Sequence, residues 1–140
     1  PEEDDELYDY SEKNNLSFIR LITPTTNEER LSTILKDATG FVYYVSITGI
    51  TGTGAAKSNE VSKKLNKIRK YTNLPIIVGF GIRTAEQANE MASISDGIVL
   101  GSAVVDKIKN SLDENNNPQN STVLSCLKFV SEISNNMIHH

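Results

Sequence analysis

Three glycine-bearing turns hold most of the chemistry this sequence can offer. They are Gly49-Ile50-Thr51-Gly52-Thr53-Gly54, Gly79-Phe80-Gly81 and Gly101-Ser102. Each follows a short apolar run and precedes a stretch with helical spacing. Turns of that kind suit an anion. The first N–H groups of a helix have no partner within it, and that end carries partial positive charge. Glycine, having no side chain, lets the backbone approach phosphate oxygens. On this reading a phosphate is held by backbone around Gly52, Gly81, Gly101 and Ser102, and no lysine is required. Glycines also punctuate tight strand–helix turns for geometric reasons alone. One such turn would therefore be weak evidence; three in consecutive units carry more.

Other chemistry is scarce. There is no Walker A pattern, no GxGxxG and no Cys/His spacing for a metal. The only histidines are His139-His140, and two residues make a poor metal site, so no metal is expected. Arg20 lies inside the first apolar run. Tyr43, on the second, is the best candidate near a strand end for hydrogen bonding or proton relay; the competing reading is a core aromatic. Cys126 falls on the apolar face of a helix and reads as core.

The elements that must position these turns alternate regularly. An acidic helix over Glu2–Asn14 opens the chain, with Pro1 suited to its first turn. A strand over Phe18–Ile22 ends at Pro24-Thr25-Thr26. Asn27 reads as an N-cap for a helix through Leu31, Ile34, Leu35 and Ala38, with Gly40 as its C-cap. Phe41–Ser46 is the second strand, and a basic helix over Lys57–Tyr71 follows. Ile76–Gly79 is the third strand. Thr84 caps a helix to Ala92, with Glu86 and Gln87 placed for a capping box. Asp96-Gly97 is a turn, Ile98–Leu100 the fourth strand, and Ala103–Asn110 a short helix. An Asn-rich loop over Glu114–Asn120 leads to a last helix from Val123 to Met137.

The 140 residues suffice for a single domain, 1–140. Apolar residues make up 38% and charged residues 23%, with a formal net charge of -4. That balance argues against nucleic acid as the main partner, and no run approaches the roughly 20 apolar residues of a membrane span. One cysteine fits a reducing compartment, hence a cytoplasmic location. Four strand–helix units imply a parallel α/β sheet. Two architectures accept them: an open doubly wound sheet, or the C-terminal half of a TIM (β/α)8 barrel, with four βα units and outer helices. The short extra helix after Gly101-Ser102 favours the barrel, because such barrels often bind phosphate with the loops after strands seven and eight and a short extra helix.

At these loops the residues resemble a known family. Pro24-Thr25-Thr26, Gly40 to Ser46, Thr48-Gly49-Ile50-Thr51-Gly52, Val78-Gly79-Phe80-Gly81-Ile82, and Asp96-Gly97 followed by Gly101-Ser102-Ala103-Val104-Val105 are similar to the tryptophan synthase alpha chain in order and spacing. The resemblance covers nearly the whole chain, but only the second half of that family's barrel. It implies a lyase of tryptophan biosynthesis that cleaves indole-3-glycerol phosphate to indole and glyceraldehyde 3-phosphate. Indole would pass to a beta chain, to which the pyridoxal phosphate belongs; this chain would need no cofactor. The resemblance puts the substrate phosphate at Gly52, Gly81, Gly101 and Ser102, and Phe80 against the indole ring. Tyr43 would stand beside the glycerol chain, and Thr51 on a loop that closes over substrate.

The departures matter. The family's general acid and base are two carboxylates on earlier strands and loops, one protonating the indole ring carbon and the other taking a hydroxyl proton. Neither position lies in this chain, and Glu2 to Glu6 and Asp96 are no substitutes. Ile47 stands where some members carry arginine. These 140 residues alone are therefore expected to bind part of the substrate and catalyse nothing. Four strands cannot close a barrel, so a homo-oligomer covering the open sheet edges, or a longer chain of which this is the remainder, is expected. Two other readings compete: another phosphate-binding barrel, such as a phosphosugar isomerase or epimerase, and a noncatalytic open-sheet α/β binding domain.

Overall fold

The computed structural model of the chain describes residues 3–45, 54–79 and 81–137, and at 5 and 54–57 the backbone only. Helix α1 spans Asp5–Lys13 and strand β1 Arg20–Ile22. Helix α2 (Glu28–Leu35), β2 (Val42–Val45), α3 (Gly54–Ile68) and β3 (Ile76–Gly79) follow. The chain closes with α4 (Ala85–Ala92), β4 (Gly97–Val99), α5 (Ser102–Lys109) and α6 (Thr122–Asn136).

All four strands are parallel and lie in the order β1-β2-β3-β4. Every crossover therefore advances one strand in the same direction. A doubly wound sheet reverses at a switch point, whereas a β/α barrel advances one way throughout. The order decides for the barrel. It leaves β1 and β4 as the edges of the sheet.

The register divides the side chains between two faces. Leu21, Tyr43 and Ile77 share one level with Gly97, and Val45, Gly79 and Val99 share another. Alternation sends their neighbours Arg20, Ile22, Val42, Tyr44, Ile76 and Val78 to the opposite, buried face. There they meet Leu31 and Leu35 of α2, Val61 and Leu65 of α3, Met91 of α4 and Ile133 of α6, which form one core. Each such side chain contributes about 1.5–3 kcal/mol by leaving water. Tyr44 is 1% exposed, and burial, aided by the Glu60 carboxylate, pushes its phenol up to about 12. The other face, with Leu21 57% exposed, lacks any such cover among the described residues.

Several boundaries differ from the expectations. β1 starts at Arg20 rather than Phe18, because the Phe18 backbone pairs with Thr39: its N–H donates to Thr39 Oγ1 at 2.6 Å and its carbonyl accepts from the Thr39 N–H at 3.1 Å. Gly40 is not the cap of α2, which ends at Leu35. Its φ is +75°, and a Cβ there would lie 2.7 Å from Ser17 Cβ, so the loop crossing demands glycine. β4 begins one residue early, at Gly97, which lies beside Ile77; a Cβ on Gly97 would sit 2.9 Å from Ile77 Cδ1. α3 begins at Gly54 rather than Lys57 and ends at Ile68. α1 begins at Asp5.

Candidate functional site

Parallel strands in unbroken order place all their carboxyl ends on one rim. β3 and β4 are hydrogen-bonded neighbours, paired as far as Gly79↔Val99. Gly81 and Gly101 each lie two residues beyond that pair, so the two turns leave the rim side by side. Gly81 has φ +61°, a left-handed conformation that glycine adopts freely, and a Cβ there would meet nothing within 4 Å. Around Gly101, too, a Cβ would meet nothing within 4 Å. Both backbones are therefore open to an approaching group.

The two helix starts differ. Thr84 Oγ1 accepts from the Gln87 N–H at 3.3 Å, and Gln87 Oε1 reaches back to accept from the Arg83 N–H at 2.9 Å, one residue before the N-cap, so the start of α4 is occupied by a variant of the capping box. α5 has no such cap. Gly101 sits at its N-cap position without a side-chain hydrogen bond, its carbonyl accepts from the N–H groups of Val104 and Val105, and Ser102 is exposed as the first helical residue. Of the two, α5 is the helix whose start can bind an anion, and the Gly81 turn can add only loop backbone.

A link not apparent in the sequence joins them. Arg83, two residues past Gly81, donates from Nη1 to Asp106 Oδ2 at 2.7 Å, tying the β3–α4 turn to the second turn of α5. Nothing in residue spacing alone pairs positions 83 and 106; only the β3–β4 adjacency does.

Tyr43 stands on the uncovered face of β2, one strand from these turns. Its ring crosses Gly79, where a Cβ would lie 2.6 Å from Cε2 and 2.7 Å from Cζ. Gly79 reads in sequence as a turn glycine; its structural duty is to make room for Tyr43. Tyr43 and Tyr44, adjacent in sequence, thus face opposite ways, and only Tyr43 is on the open side. Thr51, Gly52 and Phe80, together with His139-His140, lie outside the described residues.

Two of the carboxylates considered for acid–base work, Asp4 and Asp96, are engaged elsewhere. Asp4 pairs with Arg20, which is buried on the helix side of β1 with its guanidinium 4.3 Å from the Phe18 ring centroid. Asp96 Oδ2 accepts from the Ile76 N–H at 2.8 Å and pairs with Arg69 at 3.0 Å. That is the amino end of β3, the opposite rim from Gly81 and Gly101. Among the described residues no three His, Cys, Asp or Glu side chains gather as a metal cluster, and no helix is long and apolar enough to cross a membrane.

A family model described as Tryptophan synthase alpha chain matches residues 1–135. The chain belongs to the tryptophan synthase alpha family. A tryptophan synthase subunit alpha from Campylobacter jejuni is 33% identical with a TM-score of 0.80, over 94% of this chain and 49% of that one. One from Legionella pneumophila is 29% identical with a TM-score of 0.80, over 98% and 48%. A Mycobacterium tuberculosis tryptophan synthase is 26% identical with a TM-score of 0.81, over 100% and 49%. The chain thus spans about half the length of the tryptophan synthase alpha structures it matches, and its four parallel strands correspond to half of their TIM barrel.

Proposed function

We propose that this chain is the phosphate-gripping half of a tryptophan synthase alpha subunit. The complete subunit would cleave indole-3-glycerol phosphate to indole and glyceraldehyde 3-phosphate in tryptophan biosynthesis. The observation that supports this most is the adjacency of the Gly81 turn and the uncapped start of α5 at Gly101-Ser102, on the rim toward which Tyr43 lies. Backbone N–H groups from Gly81, Gly101 and Ser102, joined by Gly52, hold the substrate phosphate without a cation. Phe80 packs on the indole ring, Tyr43 stands beside the glycerol chain, and Thr51 belongs to the loop that closes over both. Closure would exclude water during the reverse aldol cleavage.

In that reaction one carboxylic acid protonates the indole ring carbon, a carboxylate removes a hydroxyl proton from the glycerol chain, and the carbon–carbon bond between them breaks. The resemblance puts both of these carboxylates on earlier strands and loops outside this chain, and Asp4 and Asp96 are committed to Arg20 and to the Ile76 N–H and Arg69, so these 140 residues would hold the substrate without turning it over. The subunit works in the cytoplasm, needs no cofactor of its own and passes indole to a beta chain that carries pyridoxal phosphate.

Indole release from indole-3-glycerol phosphate tests this. The chain alone should release none, and a mixture with the first half of a family barrel should release indole. Turnover by the chain alone, or none from a well-folded mixture, contradicts the proposal.

A further inference from the structure

A second concavity lies between α5 and α6, away from the rim. Ala103, Asp106, Lys107 and Asn110 share one face of α5, opposite Val105 and Ile108, while Ser125 and Phe129 share one face of α6. With Arg83 they line a cavity of about 370 Å3. That falls within the roughly 300–1,000 Å3 of small-molecule sites. Gly81, Gly101 and Ser102 do not line it, and neither does any strand.

The lining is positive and polar. Arg83 and Lys107 stand there against one carboxylate, Asp106. The Arg83–Asp106 pair engages only Nη1, at 2.7 Å. The Nε–Nη2 edge of the same guanidinium, shaped for two parallel hydrogen bonds to a carboxylate, has no partner among the described residues. Lys107 has no carboxylate partner among them either. Its amine lies 5.1 Å from the centroid of the buried Phe129 ring, which holds it at the cavity wall. Further along the groove, the Asn110 amide and the Ser125 hydroxyl make no side-chain hydrogen bond among the described residues.

From this we infer that the cavity binds a small hydroxylated monocarboxylate of sugar-acid size. Its carboxylate takes the free edge of Arg83 and the Lys107 amine, and its hydroxyls meet Asn110 and Ser125. Two cations against one carboxylate suit a single negative charge. Only Ala103 and Phe129 in the lining are apolar, which favours a hydroxylated chain over an aromatic ring. The inference is independent of the phosphate reading.

Calorimetric titration of the chain with D-gluconate should be saturable. Propionate, which has the carboxylate without the hydroxyls, should bind about tenfold more weakly or worse. Arg83→Lys keeps the charge but loses the fork and should weaken gluconate about tenfold, as should Lys107→Met. Asp106→Asn removes the competing carboxylate and should tighten gluconate binding. Lys128→Ala, on α6 but outside the cavity, should change nothing. These side chains reach solvent, so each variant should keep the parent's circular dichroism spectrum. Amide shifts on gluconate addition should centre on Asn110 and Ser125. No saturable binding overturns the inference, and so does propionate binding as tightly as gluconate. An equal loss in Lys128→Ala and Lys107→Met also overturns it, in favour of unspecific charge attraction. Displacement of gluconate by glycerol 3-phosphate, with shifts at Gly101 and Ser102 instead, overturns it by moving the anion to the rim.

Discussion

The Tyr43 ring lies across Gly79 on the neighbouring strand, so closely that a Cβ added to Gly79 would come within 2.6 Å of Cε2. Gly79 is part of β3 and buried, whereas the Tyr43 ring lies on the uncovered face, so it is the ring that must swing aside for a Cβ. Gly79→Ala should therefore destabilise the chain by about 1 kcal/mol, the low end of the cost of overpacking, and displace the Tyr43 ring. In a Tyr43→Ala background the same change should cost much less. Urea denaturation of the four proteins measures the coupling; equal costs in both backgrounds would mean the ring is held elsewhere.

The start of α5 makes opposite predictions for stability and for binding. Ser102→Glu puts a carboxylate at an uncapped helix N-terminus. It should stabilise the fold slightly, by about 0.5 kcal/mol, through the helix dipole. It should also abolish binding of glycerol 3-phosphate by repelling the anion from the same N–H groups. Thermal melts and calorimetric titration read the two effects separately. A variant that binds as well as the parent would remove α5 from the phosphate site.

At the other glycine turn the cap is the side chain of Thr84. Thr84→Ala should cost about 1 kcal/mol, as loss of an N-cap commonly does. The Arg83–Asp106 pair is exposed enough that Asp106→Asn should change stability by less than about 1 kcal/mol. The same change should weaken glycerol 3-phosphate binding, because the pair fixes the Gly81 turn against α5. Denaturation midpoints and titration of the two variants check this.

Stability should also carry an acid limb from Asp4. The hydrogen bond from Arg20 holds the Asp4 carboxyl below its ordinary 3.8. A depressed carboxyl stabilises the folded state above the unfolded value, and that stabilisation fades as pH falls through the lower, folded value. Asp4→Asn should therefore be less stable than the parent by a constant margin near neutrality. The margin should shrink below about pH 4 as the parent's carboxyl protonates. It is read from urea midpoints measured across that range; a margin independent of pH would contradict it.

Much of this was legible in the residues. Asn27 and Thr84 announced helix starts because a side-chain oxygen three residues before a donor N–H is a local arrangement: Asn27 Oδ1 accepts from the Arg30 N–H at 2.8 Å. The alternation of apolar runs and helical stripes gave the parallel sheet for the same reason. What escaped was set by contacts between distant segments. Gly40 reads as a helix cap until Ser17 is seen against it, and Gly97 as a turn until Ile77 is. Phe18 looks like strand, yet Thr39 takes its hydrogen bonds. At the site, the glycines of both turns and the Thr84 cap were visible, but not that this cap leaves the α5 start as the open one. The Arg83–Asp106 link was equally hidden.

Backbone amide chemical shifts followed by NMR during titration with glycerol 3-phosphate test the central claim most directly. The account predicts saturable shifts centred on Gly81, Gly101 and Ser102, with the Asp96 and Ile76 amides at the opposite rim unmoved. Shifts centred on that opposite rim, or none that saturate, would contradict it.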